Sequence, residues 1–134
     1  MKALLDTNII IHREANKIVS QDIGILYRWL DRGKYTKCIH SATIEEIKKN
    51  PNKETVKLFL VKLDSYETIE IPSPIQDEVK KISESYDRTE NDLIDTSLLN
   101  EVFVGRVDIL ITEDKKIHKK ANALGIQDKV YTID

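Results

Sequence analysis

Acidic side chains follow the apolar runs of this sequence, where catalytic and metal-binding groups are often found. The run Ala3-Leu4-Leu5 ends at Asp6, and Asp114 closely follows Leu110-Ile111-Thr112. Apolar runs of this length indicate short buried strands, and ligands bind at the carboxyl ends of strands in open α/β sheets. Both aspartates are therefore candidates for a functional site. The alternative is that Asp6-Thr7-Asn8 begins a turn or caps a helix, as these residue types often do.

Two further pairs of acids are expected at the same edge of the sheet. Glu45 and Glu46 lie in the helix that follows the second strand, and Asp92 and Asp95 lie near the start of a later helix. Clustered like charges destabilise a fold unless a cation offsets them, and Mg²⁺ and Mn²⁺ prefer carboxylate and water ligands. One or two such ions are expected, and two that are held by shared carboxylates would suit in-line attack on a phosphodiester.

Helical geometry separates the two acids of the later helix, which is predicted over Asn91–Val104. At 100° per residue, Asp95 lies about 60° from Leu98 and within the apolar sector, whereas Asp92 lies about 120° away on its flank. A carboxylate among apolar residues is costly without a partner, so Asp95 needs a functional explanation more than Asp92 does. Asp92 is either a second ligand or a helix acid favoured by the dipole.

Strands and helices alternate along the chain, which predicts an α/β fold with a parallel sheet and right-handed crossovers. Apolar periodicity predicts helices around Ile23–Leu30, Ala42–Asn50, Val56–Leu63, Val79–Tyr86, Asn91–Val104 and Ile117–Leu124. The predicted strands are Lys2–Leu5, Thr36–His40, Thr68–Ile71, Val107–Thr112 and Lys129–Ile133.

Composition predicts one soluble domain over residues 1–134. The chain is 40% hydrophobic and 33% charged, with a net charge of −2 and one cysteine, Cys38, which we expect to be a buried, inert thiol. No stretch approaches the roughly 20 apolar residues of a membrane span, and the N-terminus lacks the pattern of a secretory signal. We therefore expect a cytoplasmic protein without a membrane partner.

Two groups of lysines are candidate phosphate contacts. Lys48 and Lys49 lie in one group, and Lys115 and Lys116 in the other. Runs of this kind usually form solvated helix faces, but they can also hold phosphates. The histidines are spread over separate segments without the spacing of a zinc site, and a structural role is expected for each, including His40 at the end of the second predicted strand.

Four segments together resemble the PIN domain, a family of Mg²⁺- or Mn²⁺-dependent ribonucleases related in fold to flap endonucleases. The resemblance covers nearly the whole chain, and its specificity lies in the order and spacing of the segments rather than in any one of them. They are Leu4-Leu5-Asp6-Thr7-Asn8, Ser41-Ala42-Thr43-Ile44-Glu45-Glu46-Ile47, Asn91-Asp92-Leu93-Ile94-Asp95 and Leu110-Ile111-Thr112-Glu113-Asp114.

The resemblance implies a role for each matching residue. The first acid corresponds to Asp6 and the fourth to Asp114. The second precedes an Ile or Leu, which selects Glu46 and leaves Glu45 as an exposed neighbour; the third is Asp92 or Asp95. The predicted catalytic set is Asp6, Glu46, Asp95 and Asp114, with Asp92 as an additional candidate ligand. Asn8 and Thr112 match positions that orient acids or water by hydrogen bonds.

The resemblance also implies an architecture and an activity. The architecture is a three-layer α/β/α sandwich around about five parallel strands in the order 3-2-1-4-5. The activity is cleavage of single-stranded RNA by metal-activated water, which makes possible RNA contacts of Lys48, Lys49, Lys115 and Lys116. Many members are toxins neutralised by an antitoxin, and many form homodimers, so both kinds of partner are implied here.

Two other functions compete with this interpretation. A PIN-like module could bind RNA or a protein without cutting. A haloacid-dehalogenase-like phosphatase also begins with a strand and the pattern Asp-x-Asp-x-Thr, but Asn8 occupies the third position here, and the chain is short for that family. Aluminium or beryllium fluoride should trap a phosphoaspartate enzyme and leave a PIN nuclease unaffected.

Overall fold

Five parallel strands form the central sheet, in the order β3-β2-β1-β4-β5. The computed structural model describes residues 1–15 and 21–132. The strands are β1 (Lys2–Leu5), β2 (Thr36–His40), β3 (Glu67–Ile69), β4 (Ile109–Ile111) and β5 (Val130–Tyr131). This is the strand order that the PIN resemblance implied, and the prediction of a parallel α/β sheet is confirmed.

The predicted bounds of β1 and β2 match the structure, whereas the other strands are shorter or shifted. The amide of Val107 donates to the carbonyl of Glu101, so this residue belongs to the turn that follows the preceding helix and not to β4. Lys129 lies in a short 3₁₀ turn before β5. The predicted end of the last strand, Ile133, lies outside the described residues.

Helices connect the strands. They are α1 (Thr7–Ala15), α2 (Gln21–Arg32), α3 (Ser41–Lys48), α4 (Lys53–Lys62), α5 (Asp77–Tyr86), α6 (Glu90–Phe103) and α7 (Lys115–Ala123). Sequence periodicity predicted all of these except α1, whose three consecutive isoleucines have no helical spacing. Ile9 and Ile10 are buried in it, while Ile11 is exposed.

Alternate residues of the strands pack into two separate apolar clusters, one on each face of the sheet. Leu5 and Ile111 belong to the cluster formed with α1, α2, α3 and α4. Leu4 and Leu110 belong to the cluster formed with α6 and α7, against which α5 also lies. The fold is therefore the predicted three-layer α/β/α sandwich. Within the described ranges, no helix has the length and apolar content needed to cross a bilayer.

Candidate active site

Asp6 lies at the carboxyl end of the central strand β1 and is held there by two hydrogen bonds. Its Oδ1 accepts from the backbone N–H of Thr7 at 2.7 Å, and its Oδ2 accepts from the hydroxyl of Thr112 at 2.7 Å. Only 6% of Asp6 is exposed. Burial raises the pKa of this carboxyl, the two hydrogen bonds counteract the rise, and the charge of Asp114 adds to it.

Thr112 connects Asp6 to Asp114 at the carboxyl end of the neighbouring strand, β4. The fully buried Thr112 hydroxyl, which donates to Asp6, also accepts from the backbone N–H of Asp114 at 3.1 Å. The Oδ1 of Asp114 in turn caps α7, accepting from the N–H groups of Lys116 and Ile117. The predicted supporting residue Thr112 thus contacts two of the predicted acids.

Asp95 has the most strongly perturbed carboxyl of this region. Burial, followed by the charges of Asp6 and Asp114, raises its pKa to about 7, and Glu46 contributes in the same direction. Burial and the charge of Asp6 also raise the pKa of Glu46, which Lys49 partly offsets. Carboxylates from α3, α6, β1 and the start of α7 therefore act on one another, and we refer to Asp6, Glu46, Asp95 and Asp114 as the acidic cluster.

The other candidate for the third acid, Asp92, is engaged in a different set of contacts. Its Oδ2 accepts from the backbone N–H groups of Arg88 and Thr89, and the Thr89 hydroxyl accepts from the Asp92 N–H, which forms a capping box at the start of α6. Lys116 pairs with the same oxygen at 2.7 Å. The Lys116 hydrogen bond is the main cause of a lowered pKa at Asp92. Of the two aspartates, Asp95 is the one that faces the acidic cluster.

The remaining predicted residues differ in exposure. Glu45 is exposed and lies 3.8 Å from Lys48, whereas Glu46 is partly buried. Asn8 is exposed, although it was a candidate for an orienting hydrogen bond. Among the predicted RNA contacts, three lysines are exposed, and the fourth forms the ion pair with Asp92; the exposed ones are Lys48, Lys49 and Lys115.

A buried lysine next to the acidic cluster was not among the predicted site residues. Lys120 is 1% exposed, and its Nζ lies 2.9 Å from Oδ1 of Asp87 and 2.8 Å from the hydroxyl oxygen of Thr96. Although burial raises the pKa of Asp87, hydrogen bonds from Ser83, Thr96 and Lys120 lower it below its usual value. The sequence does hold a signal, because Lys120 occupies a position within the apolar stripe Ile117, Ala121 and Leu124.

The acidic cluster has the donor chemistry of a hard divalent cation site, because all four side chains offer carboxylate oxygens. Its negative charge is incompletely offset, as the raised pKa of Asp95 indicates. Among residues 1–15 and 21–132, however, no three acidic, histidine or cysteine side chains already stand as the ligands of one ion. Binding would therefore require the carboxylates to rotate towards a common point.

A pocket of about 370 Å³ opens beside Glu46, between α1, α3 and α4. Ile11, Ile47, Val56 and Phe59 provide apolar walls, and its polar lining residues are Glu46, Lys49, Asn50 and Thr55. An apolar cleft with a few polar groups is the usual form of a small-ligand site. The pocket adjoins the acidic cluster through Glu46, which forms part of its lining.

The fold is similar to that in the crystal structure of FitAcB from Neisseria gonorrhoeae. The TM-score is 0.56, and the match covers 97% of this chain and 96% of that chain at 13% sequence identity. At this identity the likeness concerns the fold alone. No protein-family model matches the chain, and a search of curated protein sequences finds no match.

Proposed function

We propose that this protein is a divalent-metal-dependent endoribonuclease that hydrolyses single-stranded RNA at the acidic cluster. The observation that carries the proposal is the perturbed Asp95, whose pKa is raised to about 7 by burial and by the charges of three other carboxylates. Perturbed carboxylates gathered in a cleft are typical of functional sites. Their position at the carboxyl edge of a parallel sheet and the segments that resemble the PIN domain support the same function.

Asp6, Glu46, Asp95 and Asp114 are the residues that would hold Mg²⁺ or Mn²⁺. When bound, the cation supplies positive charge that offsets the carboxylates and makes a nearby water more acidic. The hydrogen bonds from Thr112 and Thr7 hold both oxygens of Asp6 in fixed directions. In hydrolysis a water oxygen would attack phosphorus while the bond from phosphorus to one sugar oxygen breaks. The water's proton would pass to a carboxylate, for which Asp95 is the candidate acceptor, and the departing sugar oxygen would take a proton from solvent.

The surroundings of the cluster support an RNA substrate. The pocket beside Glu46 has a volume of about 370 Å³, enough to hold a base. The exposed Lys48 lies on α3 with Glu46, and the exposed Lys49 directly follows that helix, so both can contact phosphates. The PIN resemblance further supports a role as the toxin of a toxin–antitoxin pair, with an antitoxin as protein partner, and assembly as a homodimer.

The test is RNA cleavage by purified protein with Mg²⁺ or Mn²⁺, compared with Asp6→Asn. Loss of a preorganised charged group commonly costs about a hundredfold or more in rate, so we expect at least that loss for this variant. EDTA should abolish cleavage by the parent protein. Activity that survives both EDTA and the substitution would exclude the acidic cluster as its source.

Adjacent glutamates on α3 provide a matched control. Glu46→Gln removes a charge that acts on Asp95, so it should reduce cleavage strongly. Glu45→Gln removes an exposed charge from the next position and should be nearly silent. If the parent protein binds RNA but does not cut it, the non-catalytic module becomes the better account.

A further inference from the structure

The outer face of α2 carries a second helical stripe in addition to the one that packs into the core. Ile23, Leu26, Tyr27 and Leu30 are buried at i, i+3, i+4 and i+7. Two residues later along the chain, Ile25, Arg28, Trp29 and Arg32 repeat the same spacing on the exposed face. Ile25 and Trp29 are 46% and 48% exposed, so core packing does not account for this second stripe.

Trp29 is part of a small aromatic assembly at this surface. Its ring stacks on Tyr35 with centroids 5.3 Å apart and an interplanar angle of 22°. Tyr131 of β5, itself 44% exposed, lies at 6.4 Å in a tilted arrangement. A Cβ at Gly33 would lie 2.8 Å from the Tyr35 ring, so the stacked position of Tyr35 depends on glycine at that point of the turn.

Two arginines flank the exposed tryptophan. Arg28, Ile25, Trp29 and Arg32 line a shallow pocket of about 260 Å³. In the part of the chain that the structure describes, neither arginine has a carboxylate within ion-pair distance; Asp31, which lies between them in sequence, contacts Lys37 instead. The stripe therefore combines exposed π surface with positive charge that no described carboxylate offsets.

We propose that this face of α2 is a second RNA-binding site, at which a base of single-stranded RNA stacks on Trp29 while Arg28 and Arg32 contact phosphates. The inference rests on the proposed ribonuclease function, because it takes RNA as the substrate. Aromatic side chains beside a positively charged surface are the usual elements of single-strand binding. One RNA molecule would then bind this face of α2 with one segment while its scissile bond lies at the acidic cluster.

A second copy of the chain fits this surface less well. A two-fold symmetric contact centred on Trp29 would place the same patch on both subunits, and would therefore bring Arg28 and Arg32 of one copy near those of the other. An acidic protein segment would match the charge but would not need a stacked aromatic pair. Single-stranded RNA matches both features.

The experiment uses Trp29 as its own reporter, because it is the chain's only tryptophan. A 12-nucleotide oligouridine is titrated into the Asp6→Asn variant in EDTA, so that no cleavage occurs, and Trp emission is followed. We expect saturable quenching. Poly-glutamate of equal charge should quench Trp emission much less, because it carries the same negative charge but has no bases that could stack on Trp29.

Charge reversal on two helices supplies the matched comparison, with affinity measured by anisotropy of labelled RNA. Arg28→Glu combined with Arg32→Glu should weaken binding at least tenfold and lower the slope of log affinity against log salt by about 1.4, which corresponds to two lost phosphate contacts. Lys80→Glu combined with Lys81→Glu changes net charge equally on the exposed surface of α5 and should have a much smaller effect. Trp29→Phe should retain more affinity than Trp29→Ala.

The inference would be overturned by an absence of quenching by oligouridine, by equal quenching by poly-glutamate, or by equal losses of affinity from the α2 and α5 reversals. A change of Trp emission that follows protein concentration and dimer formation would also overturn it. RNA cleavage by the parent protein with Mg²⁺ or Mn²⁺, combined with no Trp quenching in the Asp6→Asn titration, would refute this site and leave the proposed activity intact. Trp quenching combined with no RNA cleavage by the parent protein would support this site and refute the proposed activity.

Discussion

Asp92 and Asp95 lie one turn apart on α6, yet their surroundings shift the two pKa values in opposite directions. At Asp92, the hydrogen bond from Lys116 and the backbone N–H groups at the helix start lower the pKa. At Asp95, burial and three neighbouring carboxylates raise it to about 7. Lys116 thus offsets the charge of Asp92, whereas the charges around Asp95 are only partly offset by the described residues.

The buried Lys120 extends this contrast. It is a cation next to the acidic cluster, but it pairs with Asp87, which is not a member of that cluster. Its Nζ binds Asp87 and Thr96, and its charge only partly offsets the raised pKa of Asp95. These two neighbouring regions therefore differ in how their charges are offset. The region around Lys120 is a compensated structural network, and the acidic cluster is an uncompensated site.

The largest expected effect is a loss of stability on removing the buried cation of the network around Lys120. Lys120→Met should lower the free energy of unfolding by about 3–5 kcal/mol, because it leaves the carboxylate of Asp87 buried without its cation. Urea unfolding measures this loss. The double variant with Asp87→Asn should lose less than the sum of the two single variants, since contacting partners are not additive. A loss below about 1 kcal/mol for Lys120→Met would contradict a structural role for the pair.

The next effect separates the two aspartates by activity. Asp95→Asn should reduce RNA cleavage by about a hundredfold or more, as loss of a preorganised charged group commonly does. Asp92→Asn should leave most of the activity, because an amide oxygen can still cap α6 and only the pair with Lys116 is lost. Rates measured side by side at saturating Mg²⁺ decide the assignment. Equal losses would make Asp92 part of the site.

Much of the fold was predictable because its local signals agree with the tertiary structure. β1 and β2 are short apolar runs whose bounds match the prediction. The helix α1 was missed because Ile9-Ile10-Ile11 has no helical spacing, and tertiary packing buries two of the three. For α3, Ser41 was expected to precede the helix, but the ring nitrogen of the buried His40 caps it by accepting from the N–H of Ala42.

The candidate site was only partly accessible to sequence reasoning. Each acid could be placed at the carboxyl edge of the sheet, since that requires only strand order and helix direction. The contacts of Asp92 with Lys116 and of Asp87 with Lys120 join residues 24 and 33 positions apart, so spacing could not reveal them. The sequence shows that Lys120 occupies a position within an apolar stripe, but it does not show that Asp87 is its partner.

A third effect concerns the pH dependence of the metal-free protein. The pKa of Asp95 is about 7 in the folded state and about 3.9 when unfolded. The folded state therefore binds more protons between these values, and the contribution of Asp95 to stability falls as pH rises from about 4 to 7. Asp95→Asn removes this contribution, so its stability relative to the parent should improve over that range. Thermal unfolding in EDTA at several pH values measures the difference.

A metal-free Asp95→Asn protein that is several kcal/mol less stable than the parent at pH 7 would contradict this account. Asp95 would then be a buried structural acceptor, and Asp92 would become the better candidate ligand.

The most direct test of the acidic cluster is the response of the melting temperature to Mg²⁺ and Mn²⁺ in the parent, Asp95→Asn and Asp92→Asn proteins. At ten times its dissociation constant, an ion that binds only the folded state stabilises it by about 1.4 kcal/mol, which corresponds to a rise of roughly 3–6 °C for a chain of this length. We expect that rise in the parent and in Asp92→Asn, and a smaller one in Asp95→Asn. A parent melting temperature that does not respond to millimolar Mg²⁺ or Mn²⁺ would contradict the central claim.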